Sequence, residues 1–265
     1  MRIARILAFI AFAGCSSSGA PATPAPQQPT ASAASPSADP AAGAPSAVQQ
    51  PQGGAQPGFD DRPAIAVFPF ANGGSYGQDA ENFEALEIGV QQMLLTELAQ
   101  NSSLRIVERS LLRDILAEQD LATAGRVDPQ TAANVGRLVG ARYIITGQFT
   151  DLYGDFRMDG RIINVETGEI IRTEQVRAQR ERLYDLLVDL AGRMTAGVNL
   201  PPLPANVRAA RLDRQIPAEA LTLYSRAQVY QDAGRTDRAI ELYRSIADQF
   251  PEMTEAREAL RQLGA

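Results

Sequence analysis

With 265 residues, 45% of them hydrophobic, the chain holds material for one ordinary domain and a smaller unit. It contains no histidine, no tryptophan and no lysine, so its 25 basic residues are all arginine; this excludes imidazole acid–base work, histidine metal ligation, Schiff-base chemistry and a P-loop lysine. A formal charge of -6 argues against a nucleic-acid partner, and the single cysteine, Cys15, excludes an intrachain disulfide or a paired-cysteine site.

Arg2 and Arg5 precede a short apolar run from Ile6 to Ala13, and Phe12-Ala13-Gly14 places small residues directly before Cys15. This stretch resembles a bacterial lipoprotein signal peptide and its lipobox, with Phe12 where Leu is more usual. The resemblance implies a signal at residues 1–14, cleavage before Cys15 and acylation of that cysteine; the alternative is an ordinary secretory signal with Cys15 incidental. Ser16 rather than Asp after the cysteine implies sorting to the outer membrane. The apolar run is far shorter than the ~20 residues a spanning helix needs. Residues 15–58 are dominated by Ala, Pro, Ser, Gln and Gly with Asp39 the only charge, a composition expected to stay disordered as a tether. As a flexible coil such a tether averages roughly 35 Å end to end.

Residues 59–200 read as one α/β (α+β) domain, a mixed β-sheet covered by helices and ending in a β-meander. Ala64 to Phe70 is a buried-strand run followed by the turn Asn72-Gly73-Gly74. From Glu84 to Leu98, Leu86, Val90, Met93, Leu94 and Leu98 recur at helical spacing, with Glu87, Gln91, Gln92 and Glu97 expected on the polar face. A strand is expected over Leu104 to Val107, then a helix capped by Ser110, and another opened by Asp128-Pro129. Tyr143 to Phe149 begins the meander, which continues FTDLYGDFRMDGRIINVETGEII, with turns at Tyr153-Gly154-Asp155 and Glu166-Thr167-Gly168. A final helix is expected from Tyr184 to Val198.

The strings VFPF, MLLTELAQ, RIVERSLLRDILAEQ, LVGARYIITGQFTD and RIINVETGEI resemble the family of the curli secretion lipoprotein CsgG (CsgG/HfaB-like), related to FlgO and the N-terminal domain of TolB. The resemblance covers about Ala64 to Val198. It implies a non-catalytic outer-membrane lipoprotein facing the periplasm, with a possible homo-oligomeric ring. In the channel of that family each protomer gives two long hairpins to a transmembrane barrel, one within the meander and one after its last strand. Each needs on the order of 20 additional residues. Here both connections are short, which disfavours a pore-forming channel subunit.

The resemblance also places Tyr76, Asn82 and Phe83 where the family's channel builds its constriction, so they are candidate interface residues. The bland alternative makes Phe83 core, Asn82 a helix cap and Tyr76 a loop residue. Glu108 and Arg109 are expected to pair at a strand–helix junction. Asp151, Asp155 and Asp159 lack the pattern of a calcium loop or of a supported glycosidase pair and are expected to be solvated. No catalytic residue, cofactor or metal site is expected, an envelope-polymer hydrolase being a distant alternative.

Residues 201–217 form a Pro-containing linker, and 218–265 read as a small all-α helical-repeat unit. Leu223, Ala227, Tyr230, Ala239, Tyr243, Ala247 and Pro251 follow the spacing of one tetratricopeptide-like repeat. The resemblance to that repeat implies a groove lined by its first helix, with Leu221, Tyr224, Gln228 and Gln231 on the binding side. One repeat is too little to stand alone, so it is expected to lean on the main domain, a neighbouring subunit or a partner. It either binds a protein or peptide of the envelope or serves only as packing. The reading that emerges is a scaffold or accessory factor in envelope assembly or secretion of surface polymers, held to the outer membrane by acylated Cys15.

Overall fold

A computed structural model describes residues 60–76, 80–119, 127–196 and 200–265. The signal segment, Cys15 and the expected tether at 15–58 lie outside the described residues. The described part begins inside a single compact unit, Gly58–Ala265.

Its centre is a six-stranded mixed sheet in the order β3-β1-β4-β5-β6, with a short strand β2 also pairing β4. Strand β1 (Ala64–Val67) runs parallel to β3 (Arg105–Ile106) and β4 (Tyr143–Leu152), and β2 (Ala71–Asn72) extends that parallel pairing along β4. All four residues of β1 are buried, as a central strand covered on both faces requires. Strands β5 (Asp155–Asn164) and β6 (Ile170–Gln179) complete an antiparallel meander. Along β5, Phe156, Met158 and Ile162 are buried while Arg157 and Arg161 are exposed, the alternation of a half-covered sheet.

Helices flank both faces. Ile65, Val67, Ile145, Phe149, Phe156 and Met158 pack beneath α1 (Ala80–Ala99) and α4 (Leu183–Ala196). Ala64, Ala66, Phe68, Ile144 and Ile163 form a second core with α2 (Arg109–Glu118) and α3 (Pro129–Leu138). Asp128 caps α3 as its sequence indicates, its Oδ1 accepting from the backbone N–H of Gln130 at 3.0 Å and Thr131 at 3.1 Å. Helix α2 differs from expectation: it begins at Arg109, one residue before Ser110, and Glu108 at its cap position makes no side-chain cap bond. The Arg109 side chain is anchored to residues distant in sequence, so long-range contacts set this helix start.

Four more helices follow: α5 (Ala205–Leu212), α6 (Ala218–Asp232), α7 (Thr236–Gln249) and α8 (Thr254–Gln262). Helices α6 and α7 share a core of Ala220, Tyr224, Ala227, Ala239, Tyr243 and Ile246, with the Tyr224 and Tyr243 rings 5.6 Å apart. Gly234 at φ 70 turns the chain between them. Of the supports open to this hairpin, α1 of the main domain is the one the structure supplies. The core beneath α1 continues through α6 to Met253, Ala256 and Ala259, so α1 is covered by the sheet on one side and by α6 on the other.

That burial corrects the expected polar face of α1. Gln91 and Glu97 are 3% and 2% exposed. Gln91 donates from Nε2 to the carbonyl of Val67 at 2.7 Å, tying helix to sheet. Helix α1 also carries Ala85, Gly89 and Leu95 outside its expected stripe, and all three are buried. A helix with small and apolar residues on nearly every side is one with neighbours on nearly every side.

Candidate functional site

Two places gather the residues singled out from sequence. The first is the end of the sheet at the β4–β5 turn. Tyr153 at φ 55 and Gly154 at φ 94 form a two-residue connection, both in the left-handed region, as tight hairpins demand. Tyr76 is drawn alongside: its N–H donates to the Asp151 carbonyl at 2.8 Å, and it bridges to Leu152. Its side chain is exposed, as are Leu152 and Tyr153, the last 86% exposed. Phe83 is buried in the main core, with the Arg180 guanidinium 5.2 Å over its ring. Asn82 is half-buried inside the first turns of α1 rather than before the helix.

Asp151, expected to be solvated, is instead fully buried. Its carboxylate accepts from the Gly154 N–H at 2.8 Å and pairs with Arg180. A buried carboxylate needs such partners, and here they lock the hairpin turn to the start of α4. Asp155 pairs with Arg177 across strands and Asp159 with Arg157 on the same strand. Arginine holds the Asp155 carboxyl below the usual carboxylate range, chiefly through the hydrogen bond from Arg177. Among the described residues no group of three or more acidic or cysteine side chains is placed to hold a metal ion.

The second place is a cleft of about 560 Å³ between the main domain and the C-terminal helices. Tyr224, Gln228 and Gln231 of α6 line it, whereas Leu221 lies in the core against α1. The opposite side comes from Gln92 and Thr96 of α1, from Gln100 just after it, and from Arg109 at the start of α2. Arg109 does not pair with its neighbour Glu108. It donates from Nε to Gln92 Oε1 at 3.0 Å and from Nη2 to Gln228 Oε1 at 2.7 Å, and it forms a forked ion pair with Asp232, which Arg113 also reaches at 3.0 Å.

A deeper ionic network borders the same cleft. Arg211 of α5 lies between Glu97 of α1, at 2.9 Å from its Oε2, and Glu255 of α8, at 3.1 Å. Arg214 reaches Glu255 at 2.6 Å and the Tyr184 hydroxyl at 3.1 Å, and Tyr184 donates to Glu97 at 3.3 Å. Two arginines and two glutamates balance, so burial leaves no net charge uncompensated. Burial by itself raises the Glu255 carboxyl, but the hydrogen bonds and charge of Arg214, with Arg211, hold it below the ordinary glutamate range. Burial raises the Tyr184 phenol, Glu97 adding to the effect.

Sequence reading found three of the cleft's residues and missed the α1 side, Arg109, Arg211 and the α8 side. The missed group comes together only when α6 docks on α1. The available signal was the crowding of apolar and small residues around α1, which marks a second covered side without saying what covers it.

With this geometry in view, residues 46–160 match the family model described as curli production assembly/transport component CsgG. Over these residues the chain is similar to that family. The match runs from before the described residues into β5, and β6, α4 and the C-terminal helices follow it. Among solved structures, the chain is similar to the LpoB C-terminal domain from Salmonella enterica at 19% identity, covering 44% of this chain and 83% of that one with a TM-score of 0.34. It is also similar to TolB from Acinetobacter baumannii, at 15% identity over 54% of this chain and 30% of that one, TM-score 0.37. A third is the PelC dodecamer from Paraburkholderia phytofirmans, at 14% identity over 54% and 90%, TM-score 0.33. No curated protein matches the chain.

Proposed function

We propose that this chain is a non-catalytic lipoprotein of the bacterial envelope, anchored through acylated Cys15 to the periplasmic face of the outer membrane. There it acts as a scaffold or accessory factor in envelope assembly or the secretion of surface polymers, recruiting an envelope protein or peptide through the face formed where the C-terminal helices meet α1. The observation that carries this reading is the match of residues 46–160 to the curli assembly and transport family.

Further features support it. Strand β4 passes into β5 through Tyr153-Gly154 alone, and β6 enters α4 through the single turn Arg180–Arg182. Neither site holds the residues of an inserted membrane hairpin, which favours an accessory role over a channel subunit. Asp151, Asp155 and Asp159 are each engaged by an arginine, which fits structural duty better than acid–base chemistry.

The test is fractionation of the full chain and its Cys15→Ser variant in a Gram-negative host fed an alkyne-bearing fatty acid. The reading expects label on the wild-type protein and its recovery with outer membranes, both lost in the variant. Equal soluble recovery of both without label would overturn the anchored-lipoprotein reading.

A further inference from the structure

Resting on that recruiting role, we propose that the cleft between α1 and α8 is a groove for an uncharged, extended peptide segment, gripped mainly by its main chain. One border carries Gln92, Thr96 and Gln100, and another carries Thr254, Glu258 and Gln262. Each row advances four residues at a time, which on a helix is a step of roughly 6 Å. A polyproline-II segment advances ~6.2 Å for every two residues and has no internal hydrogen bonds, so alternate peptide units of such a ligand fall in step with the rungs and need outside partners.

Gln100 and Gln262 already donate to the Thr96 carbonyl and to Glu258, so the donors fall to Gln92 on the first row and to Gln231 of α6. Gln92 Oε1 accepts from Arg109, and Gln231 Oε1 accepts from the Tyr243 hydroxyl at 2.9 Å. Those acceptor bonds fix which end of each amide accepts and which donates. They leave Nε2 of both side chains without a protein acceptor among the described residues, available to a peptide carbonyl.

The same lining disfavours other ligand classes. Arg109, Arg211 and Arg261 are each taken up by a carboxylate of this chain, so the cleft has no unbalanced positive charge for a phosphate or an acidic peptide. Its aromatic lining is Tyr224, which is 3% exposed and offers no platform for stacking a sugar ring. The volume of about 560 Å³ falls within the roughly 300–1,000 Å³ of ordinary ligand sites.

The test titrates ¹⁵N-labelled mature protein with a panel of uncharged proline-containing decapeptides, the same peptides with alternate amides replaced by alkene isosteres that lack the carbonyl, and a chitin-type oligosaccharide. Gln92→Glu and Gln231→Glu preserve both acceptors and remove both donors without emptying space. The proposal expects shifts centred on the side-chain amides of Gln92 and Gln231, at least tenfold weaker binding in the double variant, and weakening when the peptide carbonyls are removed. Absence of binding to the whole panel, peptide binding unchanged in the double variant, or cleft shifts with the oligosaccharide alone would each overturn it. If the double variant still recruits its envelope partner in cells while losing nothing in peptide titration, the recruiting role stands and the groove does not.

Discussion

Ser225 of α6 lies so close to Gly89 of α1 that a Cβ at residue 89 would fall 1.7 Å from the serine Oγ. The two helices approach at this point because neither carries bulk there. Replacing a glycine by alanine within a helix ordinarily stabilises by roughly 0.5–1 kcal/mol. Here the sign reverses: Gly89→Ala is expected to cost roughly 1–3 kcal/mol through overpacking, read by chemical denaturation. Adding Ser225→Gly should recover part of that loss, since the two residues share one contact.

The buried network makes a second demand. Arg211 touches Glu97 and Glu255 at once, so Arg211→Gln leaves two carboxylates short of charge. The expected loss is roughly 3 kcal/mol, measured by urea denaturation, with increased protease cleavage in the α5–α6 segment. Stability changing by less than about 0.5 kcal/mol would mean that the network contributes nothing to holding the C-terminal helices.

Acid should act on the same junction. The folded state holds Glu255 below its ordinary value of 4.5, so its contribution to stability is fully present above that value and is lost as pH falls through the lowered one. Protection factors of α8 amides, corrected for the intrinsic exchange rate at each pH, should therefore change little from pH 7 to 5 and fall below about 4.5. Glu255→Gln should lower stability at neutral pH and flatten that acid limb.

At the other end of the molecule, Tyr153 occupies a left-handed conformation that costs a non-glycine residue about 1–2 kcal/mol, while its side chain stands in solvent. Tyr153→Asn, which the turn type favours, is expected to raise stability by about 1 kcal/mol in thermal or chemical denaturation. No gain would indicate that the tyrosine makes a contact of its own that offsets the strain.

The fold was legible wherever local pattern and tertiary role coincide. Asp128-Pro129 opens α3, alternation marks β5, and the Tyr143-to-Phe149 run begins the meander, because caps and period-two burial are set by neighbouring residues. The two-residue strand at Ala71–Asn72 was not legible: it is defined by pairing with Gln148 and Phe149, distant in sequence. The cap of α2 lies at Glu108, two residues before the expected Ser110, and Arg109 is fixed by Gln92, Gln228 and Asp232. Asp151 looked like a turn residue among solvated carboxylates, and only the return of the chain at Arg180 shows why it can be buried. For the cleft, the resemblance to a tetratricopeptide repeat pointed to Tyr224, Gln228 and Gln231. Leu221 shares that face but meets α1 directly, and the α1 and α8 borders follow from docking that no local pattern encodes.

Within the proposed function, the preference for an accessory protein over a channel rests on the two short connections at Tyr153-Gly154 and Arg180–Arg182. The most direct measurement is ionic conductance of the full-length acylated protein reconstituted in planar lipid bilayers, with its retention in the lipid verified in parallel. The account predicts protein retained on the bilayer with conductance indistinguishable from protein-free lipid. Discrete, long-lived channel openings that scale with protein added would contradict it.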